Sequence, residues 1–315
     1  MKNDQIFVTL ANITLSCRLR YPETAGYFQK PGPDASCVGT GSVCLSDDDW
    51  DFFLHDGAMD APHTEYSLLT APLSDALMEF DRFIFHAVAL RWRDRAWLIA
   101  APSGVGKSTQ ARALQQLRPG EFSVISGDRP ILEFCPATPA PRPSERSEES
   151  VSSVPFHRNS ERSEESVPPS SRHSERSEES ASPVPERSAP VAAHSVRHSA
   201  DQSILVHPSP WNGKENWHGA EAAPLAGLIL LSRGPENRLT ALTDREAALT
   251  MYQHFLQSAW EPENIRRVAA LETRLLRAVP IWLLESDQVP DSTRLLLDAV
   301  FPAEQPGPSK KAGVP

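Results

Sequence analysis

The residues most able to do chemistry lie in one stretch, Ala101-Pro-Ser-Gly-Val-Gly-Lys-Ser-Thr109. Gly104 and Gly106 let the backbone turn so that successive N–H groups face a polyphosphate, and a helix opening behind them adds the positive end of its dipole. Lys107 reaches the β- and γ-phosphates, and Ser108 offers a hydroxyl to Mg²⁺, a hard cation that prefers oxygen. Ser103, Val105 and Thr109 complete the binding loop. The stretch follows an apolar run over 97–100 and precedes a helical pattern over 108–117. That context separates a phosphate-binding (Walker A) loop from a chance Gly-Lys-Ser turn. Ala101 stands at the first glycine of the G-x-x-x-x-G-K-[ST] pattern, a place alanine can fill if its φ stays negative.

The elements around the loop must position it. Residues 83–90 and 96–100 read as two strands joined by a hairpin over the polar turn 91–95, and His86 lies in the first of them. As a strand histidine it fits a hydrogen-bonded core role as well as acid–base work. A further strand over 122–126 ends at Gly127-Asp128. A carboxylate at the carboxyl end of a strand beside the loop strand is where a metal-bound nucleotide needs one. Downstream, a strand over 203–206 leads into a polar loop, 207–215, placed to act as a substrate or nucleotide lid. A buried strand over 225–231 follows, then a helix over 245–258 capped by Asp244, a helix over 262–278, a strand over 280–284 and a helix over 291–301.

Composition divides the rest. Residues 1–80 have short alternating runs at 5–10 and 13–17 with Pro/Gly punctuation over 21–41, the texture of a small β-rich region. Asp47, Asp48 and Asp49 read as a turn or helix-start cluster rather than a cation site. Between 137 and 202 the motif Ser-Glu-Arg-Ser-Glu-Glu-Ser recurs at 144–150, 160–166 and 174–180 among many prolines. Such a segment has too little apolar surface to offset ordering entropy and reads as a disordered insert, as does the tail 302–315. The main domain is therefore split into 81–136 and 203–301. A net charge of −10 argues against coating nucleic acid. No apolar run is long enough to span a bilayer, and the opening residues lack the pattern of a signal peptide, so a cytoplasmic protein without a membrane partner is expected. Cys17, Cys37, Cys44 and Cys135 are too irregularly spaced for a disulfide framework and read as free thiols.

Taken together, His86, the hairpin, Ser-Gly-Val-Gly-Lys-Ser and a strand ending in Gly-Asp resemble the catalytic domain of HPr kinase/phosphorylase, itself related to ATP-dependent phosphoenolpyruvate carboxykinase. The run 278–285 followed by a short helix looks like the ending of shorter bacterial HPr-kinase-like proteins. The resemblance covers 80–136 and 203–301. It implies an α/β phosphate-loop fold with a mixed sheet, ATP and Mg²⁺ as cofactors, and a homo-oligomer. It implies that Lys107 and Ser108 hold phosphate and Mg²⁺. Asp128 would match the second Asp of the family's Asp-Asp pair, as base toward an acceptor hydroxyl and metal ligand, and His86 would match the histidine before the hairpin. Gly127 replaces the first Asp, Thr109 replaces a Glu, and no Glu-Ile-Arg-Gly signature is present, which disfavours HPr as substrate. Lys214 and Arg233 are either phosphoryl clamps or solvated surface charges. The expected activity is an ATP- and Mg²⁺-dependent phosphotransferase acting on a hydroxyl of a small molecule or peptide. A nucleotide-binding sensor or assembly protein without turnover is the alternative, and a carboxykinase-like enzyme a weaker one.

Overall fold

The computed structural model describes residues 4–28, 37–46, 60–136, 203–219, 221–258 and 262–303. They fall in one of two compact units, Met1–Thr138 with Ser195–Pro315; the other, Pro139–His194, lies outside the described residues. So do the whole of the repeat insert expected over 137–202, the cluster Asp47 to Asp49, and the tail after residue 303.

In chain order, β1 (Asp4–Leu10), β2 (Ile13–Leu19) and β3 (Cys37–Val43) form a three-stranded sheet. Two short helices follow, α1 (Ala61–Leu68) and α2 (Thr70–Met78). Next come β4 (Arg82–Ile84), β5 (Ala87–Trp92), β6 (Arg95–Ala100), α3 (Lys107–Leu117), β7 (Phe122–Ser126) and β8 (Ile131–Cys135). Beyond the insert lie β9 (Ser203–His207), β10 (Ala223–Arg233), β11 (Arg238–Ala241), α4 (Asp244–Met251), α5 (Pro262–Ala278), β12 (Ile281–Ser286) and α6 (Val289–Ala299). The result is a mixed α/β fold around one curled sheet. Its path runs β4-β8-β9-β10-β6-β5-β7, with β12 also on β10 and β11 on β12. β10 is the pivot, pairing antiparallel with β9 at its start and parallel with both β6 and β12 further along.

Alternation along the central strands explains the layers. Leu98, Leu228 and Leu230 pack with Met251, Val268, Leu271 and Leu275 from the α4 and α5 region. Their sequence neighbours Ile99, Ile229 and Leu231 pack with Ala111, Leu114, Leu296 and Phe301 from the α3 and α6 side. Because both faces are covered, these strands read as continuous apolar runs instead of alternating ones. The N-terminal sheet has its own core, in which Val8, Leu10 and Leu15 meet Leu69, Leu73 and Leu77 of α2 and its approach.

Four expectations need correction. The apolar run 83–90 is two strands, broken at Phe85 and His86, because Phe85 N–H donates to Pro130 O (3.0 Å) and His86 N–H donates to His254 O (2.8 Å). The helix expected over 245–258 stops at Met251 in a 3₁₀ turn, Tyr252–His254, where Phe255 forms a β-bridge with Phe85 and Leu256 N–H donates to Ile84 O. Its N-cap is Thr243, not Asp244: Thr243 and Glu246 form a reciprocal capping box. Residues 1–80 also carry helices α1 and α2, with Pro62 in the first turn of α1 and Asp60 accepting from His63 N–H. Among the described residues no helix is long and apolar enough to cross a membrane.

Candidate active site

The glycine loop leaves the carboxyl end of β6 and runs into α3. Ala101 is buried and does not adopt a positive φ, so alanine fits there without strain. Gly104 (φ 79°) and Gly106 (φ 123°) take conformations that side-chain-bearing residues rarely adopt. Gly106 is the N-cap of α3; no side chain among the described residues caps it, and the first turn carries no acidic residue. The first-turn N–H donors and the positive helix end are thus left to the loop. Lys107 is 8% exposed, and its Nζ donates to Ala101 O (2.9 Å) and to His86 Nε2 (3.0 Å). Burial, with the Arg129 charge adding to it and Asp128 opposing, holds the ammonium below its usual pKa. Ser108 is half-buried at the helix start, while Ser103 and Thr109 are exposed.

His86 sits at the break between β4 and β5, and the same break brings Asp128 beside it, since Ala87 N–H donates to Asp128 O (2.9 Å). Asp128 Oδ1 lies 3.3 Å from His86 Nε2, and Oδ2 lies 3.3 Å from Arg129 Nε. Lys107, His86 and Asp128, scattered over the sequence, therefore converge, with one ring nitrogen facing both the ammonium and the carboxylate. That nitrogen can accept from Lys107 or, protonated, donate to Asp128, but not both at once. Burial alone would raise the Asp128 pKa; the His86 hydrogen bond and the charges of His86, Arg129 and Lys107 outweigh it and keep the carboxyl below its ordinary value.

Two neighbours carry no motif in the sequence. Arg129 anchors the acid and is itself held by Thr70 Oγ1, to which its Nη1 donates (2.6 Å). A charged residue directly after the strand-ending acid is the one signal that could have found it. His254 is 2% exposed, its ring centroid is 6.1 Å from that of His86, and its Nδ1 has no hydrogen-bond partner among the described residues. Burial, then the His86 and Lys107 charges, push its pKa down from 6.5 to about 4. The folded state therefore holds His254 neutral where the unfolded chain already takes up a proton, so stability is lost as pH falls from 6.5 toward 4. Thermal melts across that window should show a shallower fall for His254→Phe than for wild type.

The loop between β9 and β10 closes over the acidic side. Gly127 N–H donates to Trp217 O (3.0 Å) and Gly219 N–H to Ile125 O (2.9 Å). Trp211 stacks on Tyr66 (5.6 Å between centroids) and donates to Tyr66 O, while Arg112 of α3 pairs with Glu215 and lies over Trp217 (5.4 Å). A Cβ at Gly127 would overlap the Asn212 carbonyl and stand 2.9 Å from that of Trp217. The position where the resembled family has an acid is thus filled here by backbone. Gly127→Asp should cost about 1–3 kcal/mol of stability through overpacking, read in a denaturant titration.

Lys214 is exposed and has no side-chain partner among the described residues. Arg233 is exposed too, but its Nη2 donates to Gly104 O (3.1 Å), which places it beside the glycine loop. A groove of about 430 Å³ opens there between the loop and the ends of β10 and β12. No protein-family model matches the chain, and no curated protein matches it.

Proposed function

We propose that the protein is an ATP- and Mg²⁺-dependent phosphotransferase of the HPr-kinase-like kind, built on a phosphate-loop fold and acting on a hydroxyl of a small molecule or peptide. The observation that carries the reading is the convergence of Lys107, His86 and Asp128 at the mouth of an uncapped glycine loop. The residues suit the ligands. The loop offers backbone N–H donors and a buried ammonium to phosphate oxygens, and the Ser108 hydroxyl and Asp128 carboxylate are hard oxygen ligands for Mg²⁺. That cation supplies charge neutralisation at the transferred phosphoryl group.

With polyphosphate bound, the Lys107 ammonium would turn from Ala101 O toward the phosphate oxygens. His86 Nε2 is then released from Lys107 and free to hold a proton against Asp128. The Asp128 carboxylate orients the acceptor hydroxyl and receives its proton as the phosphoryl group transfers, while Arg129 fixes the plane of the carboxylate. A low-pKa carboxylate is a weak base, so Asp128 contributes mainly by orientation and charge.

One observation favours a second reading, binding without turnover. Both Asp128 oxygens already face cationic or ring nitrogens, and the neighbouring acid of the resembled family is replaced by packed backbone at Gly127. Equilibrium titration with Mg·ATP and Mg·ADP tests the common ground of the two: saturable binding is expected, and failure to bind either nucleotide defeats both. Transfer of label from γ-labelled ATP to an added hydroxyl acceptor, or to water in its absence, separates them.

A further inference from the structure

Three parallel strands, β6, β10 and β12, end on one side of the molecule. In open α/β sheets, ligands lie outside the carboxyl ends of such strands. β6 ends in the glycine loop, β10 in Arg233 and Gly234, and β12 in Ser286 and Asp287; the groove of about 430 Å³ is bounded by all three. It shares Gly104 to Gly106 and Thr109 with the loop, so a ligand can pass from one to the other without leaving the protein surface. Its volume lies in the range of about 300–1,000 Å³ typical of small-molecule clefts. His86 and Asp128 stand on the opposite flank of β6, at the ends nearest β5 and β7.

We infer that this groove holds the nucleoside half of a ribonucleotide, with Asp287 receiving the ribose hydroxyls. The inference rests on the phosphate-loop reading above and fixes a direction for the ligand: nucleoside over β10 and β12, polyphosphate in the loop, terminal phosphate at Asp128. Asp287 suits the task. Its backbone N–H donates to Asn237 Oδ1 (3.0 Å), as does that of Gln288 (3.3 Å), so the segment is pinned. Its exposed carboxylate makes no hydrogen bond or ion pair among the described residues. Two carboxylate oxygens match the two donors of a vicinal diol. Behind this segment Ser286 Oγ donates to Ser292 Oγ (2.9 Å) and the buried Gln110 Nε2 donates to Thr293 Oγ1 (2.8 Å), which ties the end of β12 to the start of α6 and α6 to α3, holding the ribose site and the loop helix in fixed relation. Among the described residues no aromatic ring borders the groove, so discrimination there rests on the sugar and not on base stacking.

The test is calorimetric titration of the full chain with Mg²⁺ and, separately, ATP, 2′-deoxy-ATP and inorganic tripolyphosphate. In the native protein ATP should bind tighter than tripolyphosphate, and about tenfold tighter than 2′-deoxy-ATP, the value of a charge-assisted hydrogen bond. Asp287→Ala should abolish the difference between ATP and 2′-deoxy-ATP, bringing ATP to or below the affinity that 2′-deoxy-ATP has for the native protein, while leaving tripolyphosphate affinity unchanged, which also shows that the loop is intact. Equal binding of ATP and 2′-deoxy-ATP by the native protein overturns the inference and leaves the phosphate loop standing. So does an equal loss of ATP and tripolyphosphate affinity in the variant. Failure of the native protein to bind either ATP or tripolyphosphate removes both readings together.

Discussion

Lys107→Ala is expected to lower the rate of phosphoryl transfer by about 10²–10³-fold, the cost of removing one preorganised charge from a transition state. Affinity for Mg·ATP should fall with it, because the same ammonium serves ground state and transition state. The thermal midpoint should not fall. The ammonium is 8% exposed and its pKa is depressed by burial, so in the unliganded protein it sits at a cost only partly offset by Ala101 O and His86. A residue that weakens the fold while holding the centre of a site is kept for the ligand. Rate, affinity and melting measured on one preparation separate this from a structural lysine, whose removal would lower all three.

Asp128→Asn should reduce turnover by about 10²–10³-fold, the cost of losing one preorganised charge at the transferred group. Nucleotide affinity measured without Mg²⁺ should change only a few-fold, because the loop and Lys107 are untouched. The variant also carries a pH signature. With its folded pKa below the ordinary aspartate value, Asp128 adds stability above that value, and the contribution is lost as pH falls through the folded pKa. Asp128→Asn should therefore melt lower than wild type near neutrality and converge with it in strong acid. Unchanged turnover in the variant would assign the base role elsewhere.

How much of this was legible depends on how local each signal was. The glycine loop is contiguous, and its strand and helix context can be read from a few residues on either side. Asp128 was legible because an acid directly after an apolar strand is a positional signal. The kink at Phe85 and His86 was not, because it is made by Pro130 and His254, whose backbones capture N–H groups that a continuous strand would have used. His254 entered the site for the same reason, brought in by a 3₁₀ turn that no periodicity announces. Helix α2 was legible but unread: Leu69, Leu73 and Leu77 recur at a spacing of four and are fully buried. The Thr243 cap was equally present in the Thr-x-x-Glu pattern, one residue before the Asp that resembled a cap. The role of Gly127 could not be read at all, since it depends on the carbonyls of Asn212 and Trp217 from the far side of the insert.

The most direct measurement is a crystal structure with Mg²⁺ and a non-hydrolysable ATP analogue. The account predicts the triphosphate in the glycine loop, with Lys107 Nζ turned from Ala101 O to within about 3 Å of phosphate oxygens and Asp128 facing the terminal phosphate. An analogue bound elsewhere, or a loop still closed by the Lys107–Ala101 hydrogen bond at saturating ligand, would contradict it.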